Sequence, residues 1–494
     1  MKLFKRSILL LLAVVLVLAA ALAVGTLRAG SRQLDVAPAP AVAIDSAAAA
    51  RRLAGAIPFR TISVADDPSA NLAEFDKLHA YMAQQFPRVH AQLQREVVGS
   101  HGLLYTWKGR DAAAKPVALL AHQDVVPIAP GTESAWQAAP FGGEIKDGFV
   151  WGRGAWDNKG NLFAQLEAIE MLLAQGYVPP RTVYLVMGHD EEVSGLRGAR
   201  PIAELLKSRG VQLDWVLDEG LLVMEGILAG LSRPAALVGV AEKGYGTFYL
   251  DLDTHPGHSS MPPRETAIGM MSAALTRLEG NQLPAGIRGV AAEMFETLAP
   301  EMSPLNRVML SNLWLTRPVV QRMLEKSAST NAMLRTTTAL TIVNAGNKDN
   351  VLPGHASAAV NFRVLPGDSL ANVERHVHDT VANEAIKVTQ YKGNAEPSPV
   401  SPTAAGGYQS INRTIREVFP EAIVAPGLMI AATDSRHFAI VSDNIYRFSP
   451  VRTGPEDLGR FHGTNERLSI ANYAEMIRFY HRLLGTHLGA APAP

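Results

Sequence analysis

Pro116-Val-Ala-Leu-Leu-Ala-His122-Gln123-Asp124 is the stretch on which the reading of the fold turns. From Val117 to Ala121 every position is apolar, so both faces of the segment need cover. That pattern belongs to a buried strand of a parallel sheet. Residues two apart in a strand share a face, which puts His122 and Asp124 on one side where the strand ends. In open α/β sheets ligands collect at the carboxyl ends of strands. A carboxylate commonly orients a metal-bound imidazole; the plain alternative is a histidine that merely closes the strand.

Working outward, the pattern repeats. Thr182 to Met187 is a second buried strand, and it exits into Gly188-His-Asp-Glu191-Glu192. Trp215-Val-Leu217 is a third, ending in Asp218-Glu219-Gly220. A solvated acidic run is the ordinary explanation for such triplets, but it fits poorly at the mouth of a buried strand. Between them, Asp157 precedes a helical pattern of Leu162, Phe163, Leu166, Ile169 and Leu173. Its plain role there is an N-cap, worth about 1 kcal/mol.

The chain has 494 residues, too many for one compact core, so more than one domain is expected. Apolar residues make up 47% and charged residues 19%, the balance of a folded globular protein. Lys plus Arg equals Asp plus Glu, 46 each, leaving no global field for nucleic acid. Cysteine is absent, so any metal must sit on imidazole and carboxylate. The N-terminus is basic through Arg6 and then apolar from Ile8 to Leu27, about the length of one membrane crossing. A cleaved signal normally has a shorter apolar core of roughly 7–15 residues. Residues 1–27 are therefore expected to be an uncleaved anchor rather than a cleaved signal. The basic flank places the body on the extracytoplasmic or periplasmic side. Residues 28–42, rich in Ala and Pro, read as a tether.

Residues 43–240 and 396–488 are expected to form the two parts of a catalytic α/β domain with helices on both faces of a mostly parallel sheet. Val89 to Val98 and Gly102 to Trp107 alternate as strands. After Val240 the texture changes to half-exposed strands. Strand, helix, two strands, helix, strand across residues 241–395 is a ferredoxin-like pattern, read as an inserted α+β lid domain. Within it, residues 280–335 form an extra helical stretch with Met, Leu and Trp on view. Ordinary core is one reading of it, a cover over an apolar substrate the other.

Two histidines, several carboxylates and no cysteine suit Zn²⁺ or a similar divalent ion. A pair of such ions needs one shared carboxylate. Asp157 is a candidate for that bridge. His122 with a carboxylate from Asp218-Glu219 would complete one site, and Glu192 with His462 the other. Glu191, beside a ligand but free itself, is placed to move protons.

The motifs Leu120-Ala-His122-Gln-Asp124-Val-Val-Pro, Gly152-Arg-Gly-Ala-Trp-Asp157-Asn-Lys-Gly, Gly188-His-Asp-Glu191-Glu192, Leu217-Asp218-Glu219-Gly220, Pro256-Gly-His258-Ser-Ser, Asn350-Val-Leu-Pro and Phe461-His462-Gly occur in this order. Together they resemble the carboxypeptidase S and aminoacylase family of dinuclear zinc exopeptidases, in the branch that includes secreted N-fatty-acyl amino acid hydrolases. The resemblance implies two Zn²⁺ per chain, with Co²⁺ or Mn²⁺ as substitutes. It implies His122, Asp157, Glu192 and His462 as ligands, with Asp157 bridging. Asp218 is preferred over Glu219 as the fifth. It implies Asp124 orienting His122, Glu191 as general base and acid, and a strained or cis peptide after Asp157. His258 would stabilise the oxyanion, while Asn350, Arg363 and Arg436 would hold substrate, the arginines through its carboxylate. His437 is of interest only for lying beside Arg436.

The implied activity is hydrolysis of the amide bond to a C-terminal amino acid in peptides. The alternative is an N-acyl amino acid amidohydrolase, and from another class, a non-catalytic membrane-tethered binding protein. Small peptide or N-acyl substrates are the expected partners. Membrane contact is expected through the N-terminal segment only, and a second copy of the chain is left open.

Overall fold

The computed structural model describes residues 2–489. Its largest sheet has eight strands, in the order Gln94–Val98, Gly102–Trp107, Val183–Gly188, Val117–His122, Trp215–Met224, Ile445–Thr453, Ala235–Glu242 and Ile423–Met429. The four central strands run parallel, and an antiparallel hairpin forms one edge. Both faces of the Val117–His122 strand are covered, as its unbroken apolar run requires. Leu119 and Ala121 enter one core with the helices Lys159–Ala174 and Ile470–Thr486. Ala118 and Leu120 enter the opposite core with the helix Ala199–Ser208.

The Trp215–Met224 strand does not stop at Leu217, where its apolar run ends. Arg447 pairs with Asp218 and the next pair is Phe448 with Leu221, so Glu219 and Gly220 form a bulge. A bulge re-aims a side chain, and here it turns Glu219 out of the ladder. Gly220 has φ +148°, and a Cβ there would lie 2.7 Å from the Arg447 Cβ, so glycine is required.

A second sheet of four antiparallel strands runs in the order Thr337–Ala345, His355–Val364, Gly244–Asp253 and Lys387–Gln390. The helices Ala267–Gly280 and Leu370–Val381 pack on one face of it. This is the strand order of a ferredoxin-like unit.

Two local expectations differ from the structure, and two further segments gain detail from it. Val89 belongs to a short helix, Pro87–Gln92, because Pro87 at its first position is preset for helix; the strand begins only at Gln94. The cap residue of the helix Lys159–Ala174 is Asn158, not Asp157. The 280–335 stretch is helical, and of its two readings ordinary core holds for its inner face. Ile287, Met294, Phe295 and Leu298 meet Leu237, Ile423 and Ala425 on the far edge of the large sheet, and these contacts build core. Residues 28–42 are irregular but strapped down. Gln33 exchanges two hydrogen bonds with the Val424 backbone, Arg416 donates to the Leu34 carbonyl at 3.2 Å, and the Ala39 N–H donates to Glu417 O at 2.8 Å.

Gln123, between the two polar residues that end the first strand, locks its neighbours. Its amide donates to Met187 O at 2.7 Å and His101 O at 2.9 Å, and its oxygen meets His79 Nε2 at 2.5 Å. Burial pushes the His79 ring down from 6.5 to about 4. The unfolded chain therefore binds the proton first, and stability held above pH 6.5 is lost as pH falls toward 4. At about 1.4 kcal/mol per unit this amounts to at most roughly 3 kcal/mol. Thermal melts across this range should show a shallower acid loss for His79→Gln than for the parent; parallel curves would refute the assignment.

Candidate metal centre

Six side chains from five separate stretches converge: His122, Asp157, Glu191, Glu192, Glu219 and His462. His122 closes its strand, fully buried. Its Nδ1 faces the Asp124 carbonyl at 3.0 Å and carboxylate at 3.2 Å. Its Nε2 faces Asp157 Oδ1 at 3.0 Å and Glu219 Oε1 at 3.2 Å. The other oxygen of Asp157, Oδ2, lies 2.8 Å from His462 Nε2, which also lies 3.2 Å from Glu192 Oε2. Two clusters of metal-binding character result, His122–Asp157–Glu219 and Asp157–Glu192–His462, and a third group joins His122, Glu191 and Glu192. Asp157 belongs to both of the first two, one oxygen to each.

The donor set is imidazole nitrogen and carboxylate oxygen without thiolate, which fits a divalent ion of the Zn²⁺ kind. Glu192 Oε1 is buried without a hydrogen-bond partner among the described residues, as a ligand atom would be. Electrostatics agree. Burial raises Glu219 and Glu192 to about 7, each with Asp157 adding to the rise. Glu191 is pushed well above the carboxylate range by burial and by Glu219, Asp434 and Glu192 around it. Burial works to lower His462, but its bonds to Asp157 and Glu192 carry it up to about 10. So many carboxylates in one buried volume call for positive charge.

Asp218, preferred over Glu219 on sequence, is engaged elsewhere. Its Oδ1 accepts from the Glu219 N–H and its Oδ2 from the Ser435 N–H, both at 2.8 Å. Glu219 is the residue the bulge delivers to His122, and it also accepts from the Asn158 side chain. Asp124 does more than face His122. Its two oxygens take the backbone N–H groups of Glu191 and Glu192 at 3.1 Å each, and Ser63 donates to Oδ2 at 2.5 Å. The peptide between Asp157 and Asn158 is cis.

The residues foreseen for substrate lie on other elements. His258 and Asn350 are neighbours in a small antiparallel pairing, His258 opposite Val351, with Ser259 N–H donating to Asn350 O at 3.1 Å. His258 makes no bond with the cluster among the described residues; its Nδ1 meets Ser260 Oγ at 2.8 Å. Arg363 lies over the Tyr245 ring at 4.9 Å, and its guanidinium is pushed down by burial and by the charge of Arg436. Arg436 donates to the Ser194 carbonyl at 3.0 Å, as does His437 Nε2 at 2.9 Å. Neither arginine has a carboxylate partner among the described residues.

One residue with a central place was not foreseen. Glu466, fully buried, accepts from the N–H groups of Gly154, Trp156 and Asp157 at 2.9–3.0 Å and from Arg153 Nη1 at 2.6 Å. It holds the whole turn that carries Asp157. Only its position four residues after His462 marks it in sequence, and a lone acid there has no distinguishing pattern.

Residues 118–486 match the model of peptidase family M20/M25/M40. The chain is 44% identical to N-fatty-acyl-amino acid synthase/hydrolase PM20D1.1 of Danio rerio, over 88% of this chain and 84% of that one. It is 32% identical to carboxypeptidase S of Saccharomyces cerevisiae, over 85% and 80%. Among solved structures it is similar to the M20 family metallo-carboxypeptidase Sso-CP2 from Sulfolobus solfataricus, with TM-score 0.65 at 18% identity, covering 90% of this chain and all of that one.

Glu466→Ala strips the acceptor from three buried N–H groups and leaves Arg153 unpaired, so denaturant unfolding should show a loss of about 3–5 kcal/mol. A change below 1 kcal/mol would mean that the Asp157 turn holds its shape without it.

Proposed function

The chain belongs to peptidase family M20/M25/M40, and from that premise we propose a dinuclear zinc amidohydrolase that frees a carboxylate-bearing amino acid from the acyl group on its nitrogen. At the coarser level it is a hydrolase of the carboxypeptidase S-like kind. The observation that carries the two-ion reading is the division of Asp157, Oδ1 toward His122 and Oδ2 toward His462. In this reading His122, Asp157 and Glu219 hold one ion, and Asp157, Glu192 and His462 the other. Bound there, such ions acidify water and polarise a carbonyl.

The remaining work falls to the chain's own groups. Glu191 takes the proton of the attacking water on its carboxylate and returns it to the departing nitrogen. That carboxylate has no hydrogen bond or ion pair among the described residues, which supports a free proton carrier. Asp124 fixes the backbone of Glu191 and Glu192, so base and ligand keep their spacing. Arg363 and Arg436, adjacent and without acidic partners, suit the substrate carboxylate. His258, beside Asn350, is the candidate for the carbonyl oxygen. The metal-bearing body at residues 43–240 and 396–488 and the lid at 241–395 are part of the same reading.

The acyl side has two readings. Relatedness leans to N-fatty-acyl amino acids by a small margin: identity to the relatives named for them reaches 44%, against 41% for a probable carboxypeptidase S-like protein of Dictyostelium discoideum and 32% for carboxypeptidase S. Peptides with a free C-terminus are the second. We take Leu3–Arg28, apolar and exposed except along its last turns, as an uncleaved anchor with the body on the extracytoplasmic side. Support comes from Asn312, whose amide donates into its last turns. The strand Thr337–Ala345 leaves an open sheet edge where a second copy would pair.

Glu191→Gln should abolish hydrolysis of both N-acyl and dipeptide substrates while metal content stays at the parent level; retained turnover would end this mechanism. Elemental analysis should find one ion fewer in Glu219→Ala but the full complement in Asp218→Asn. The reverse result would return the ligand role to Asp218. A panel of N-long-chain-acyl amino acids against dipeptides decides the acyl side, with higher kcat/KM expected for the former.

A further inference from the structure

The helices Pro304–Ser311 and Leu313–Leu324 expose a face that a water-facing surface does not explain. Leu315, Val319 and Met323 recur every four residues on one side of the second helix, flanked by Trp314 and Pro318, all exposed. Trp314 is 63% exposed, Val319 and Met323 54% each, and Leu305 on the preceding helix 71%. The side toward the body is anchored by Val320 and Leu310. An amphipathic helix in a soluble body turns its apolar face inward; this one also turns apolar residues outward, with Arg317 and Arg322 among them. A contiguous exposed apolar face marks a binding surface.

Its location identifies the partner. Asn312, fully buried between the two helices, donates its amide to Leu22 O at 3.2 Å and Thr26 Oγ1 at 3.0 Å. Trp314 Nε1 donates to Asn312 Oδ1 at 3.2 Å. Arg307 donates to Ala29 O at 3.2 Å. The apolar face is thereby fastened to the last two turns of the Leu3–Arg28 helix. That helix has 26 residues, which at ~1.5 Å each exceed the ~30 Å of a bilayer core. Its final turns therefore lie at the lipid–water boundary, and Trp314 lies beside them. Trp is the residue that favours this boundary, and Arg side chains reach from apolar faces to headgroups.

We propose that the helix Leu313–Leu324, with Leu305, lies in the surface of the bilayer as a second membrane contact, beside the spanning helix. This inference rests on the anchor reading above. The occupant is the lipid interface, bound as interfacial amphipathic helices are. The body is then held at two points rather than swinging from one.

The absence of cysteine makes the test direct. Single-cysteine variants Val15→Cys, Val319→Cys and Val97→Cys of the full chain carry an environment-sensitive fluorophore in phosphatidylcholine–phosphatidylglycerol vesicles. Val97 lies on the opposite edge strand and serves as the water-facing control. Labels at 15 and 319 should shift to the blue and lose most of their emission to nitroxide lipids, while 97 does neither. Adding Leu315→Glu and Met323→Glu should return label 319 to the behaviour of 97 with an unchanged melting temperature. If 319 behaves like 97 while 15 is quenched, the second contact is wrong and the anchor stands. If 15 also behaves like 97, the anchor fails and the inference with it. A blue-shifted 319 that lipid nitroxides do not quench would mean that protein, such as a second copy, covers this face. Quenching of 319 that survives the two glutamates would also overturn the assignment.

Discussion

Asp157 is one carboxylate asked to face two ways, and much of the structure serves to hold it there. Its two oxygens meet imidazoles from opposite ends of the chain, His122 and His462. A buried carboxylate in such a position is unfavourable unless every neighbour is fixed. Glu466 takes the N–H groups of the turn that carries it, and Arg153 neutralises Glu466 in turn. Asn158, next in the chain, reaches across to Glu219. The site is thus a set of acids whose mutual repulsion is tolerable only with compensating cations, held by a frame that prevents them from relaxing apart.

The frame is drawn from the ends of adjacent strands. The parallel pairing of Val117–His122 with Val183–Gly188 brings His122 level with Gly188, from which Glu191 and Glu192 follow within one turn. Asp124 then closes the gap by accepting from both of their backbone N–H groups. On the other side the bulge at Glu219 and Gly220 substitutes a re-aimed side chain for two ladder positions. Each device costs regular hydrogen bonding and gains a donor atom at a fixed place. This is the pattern expected where local rules yield to a functional site.

How much of this could be read from the residues follows the range of the forces involved. Strands that are apolar at every position declared themselves, because two-sided burial has no other cause, and with them the mostly parallel sheet. His122, Glu191 and Glu192 stood out because polar and acidic groups at the mouths of buried strands are improbable otherwise, whereas Asp157, before a helix, entered as the shared carboxylate that a pair of ions needs. The choice between Asp218 and Glu219 was not legible. It depends on a register shift against Ile445–Thr453, a strand more than two hundred residues away. Glu466 was illegible for a related reason: apart from Arg153, its partners are backbone N–H groups, which leave no mark in sequence. The apolar residues of 280–335 were visible as apolar, but a helix face does not state what it packs against; on the inner face the far sheet edge took them.

The strap that residues 28–42 form ties these parts together. Gln33 pairs with Val424 in the edge strand Ile423–Met429. That strand runs, a few residues on, into Thr433–Arg436, where the Ser435 N–H holds Asp218 and Arg436 meets Ser194 beyond Glu192. Two sets of contacts therefore secure the same edge, the strap from one side and Ile287, Met294 and Phe295 from the other. An edge strand is ordinarily the least constrained element of a sheet. Here it carries the loop that backs the His122–Asp157–Glu219 cluster, so its freedom would become positional error among those side chains. Covering it with the insert and bonding it to the chain that emerges from the apolar helix removes that freedom. The same residues that lead from the apolar N-terminal helix into the body also stiffen the wall of its site.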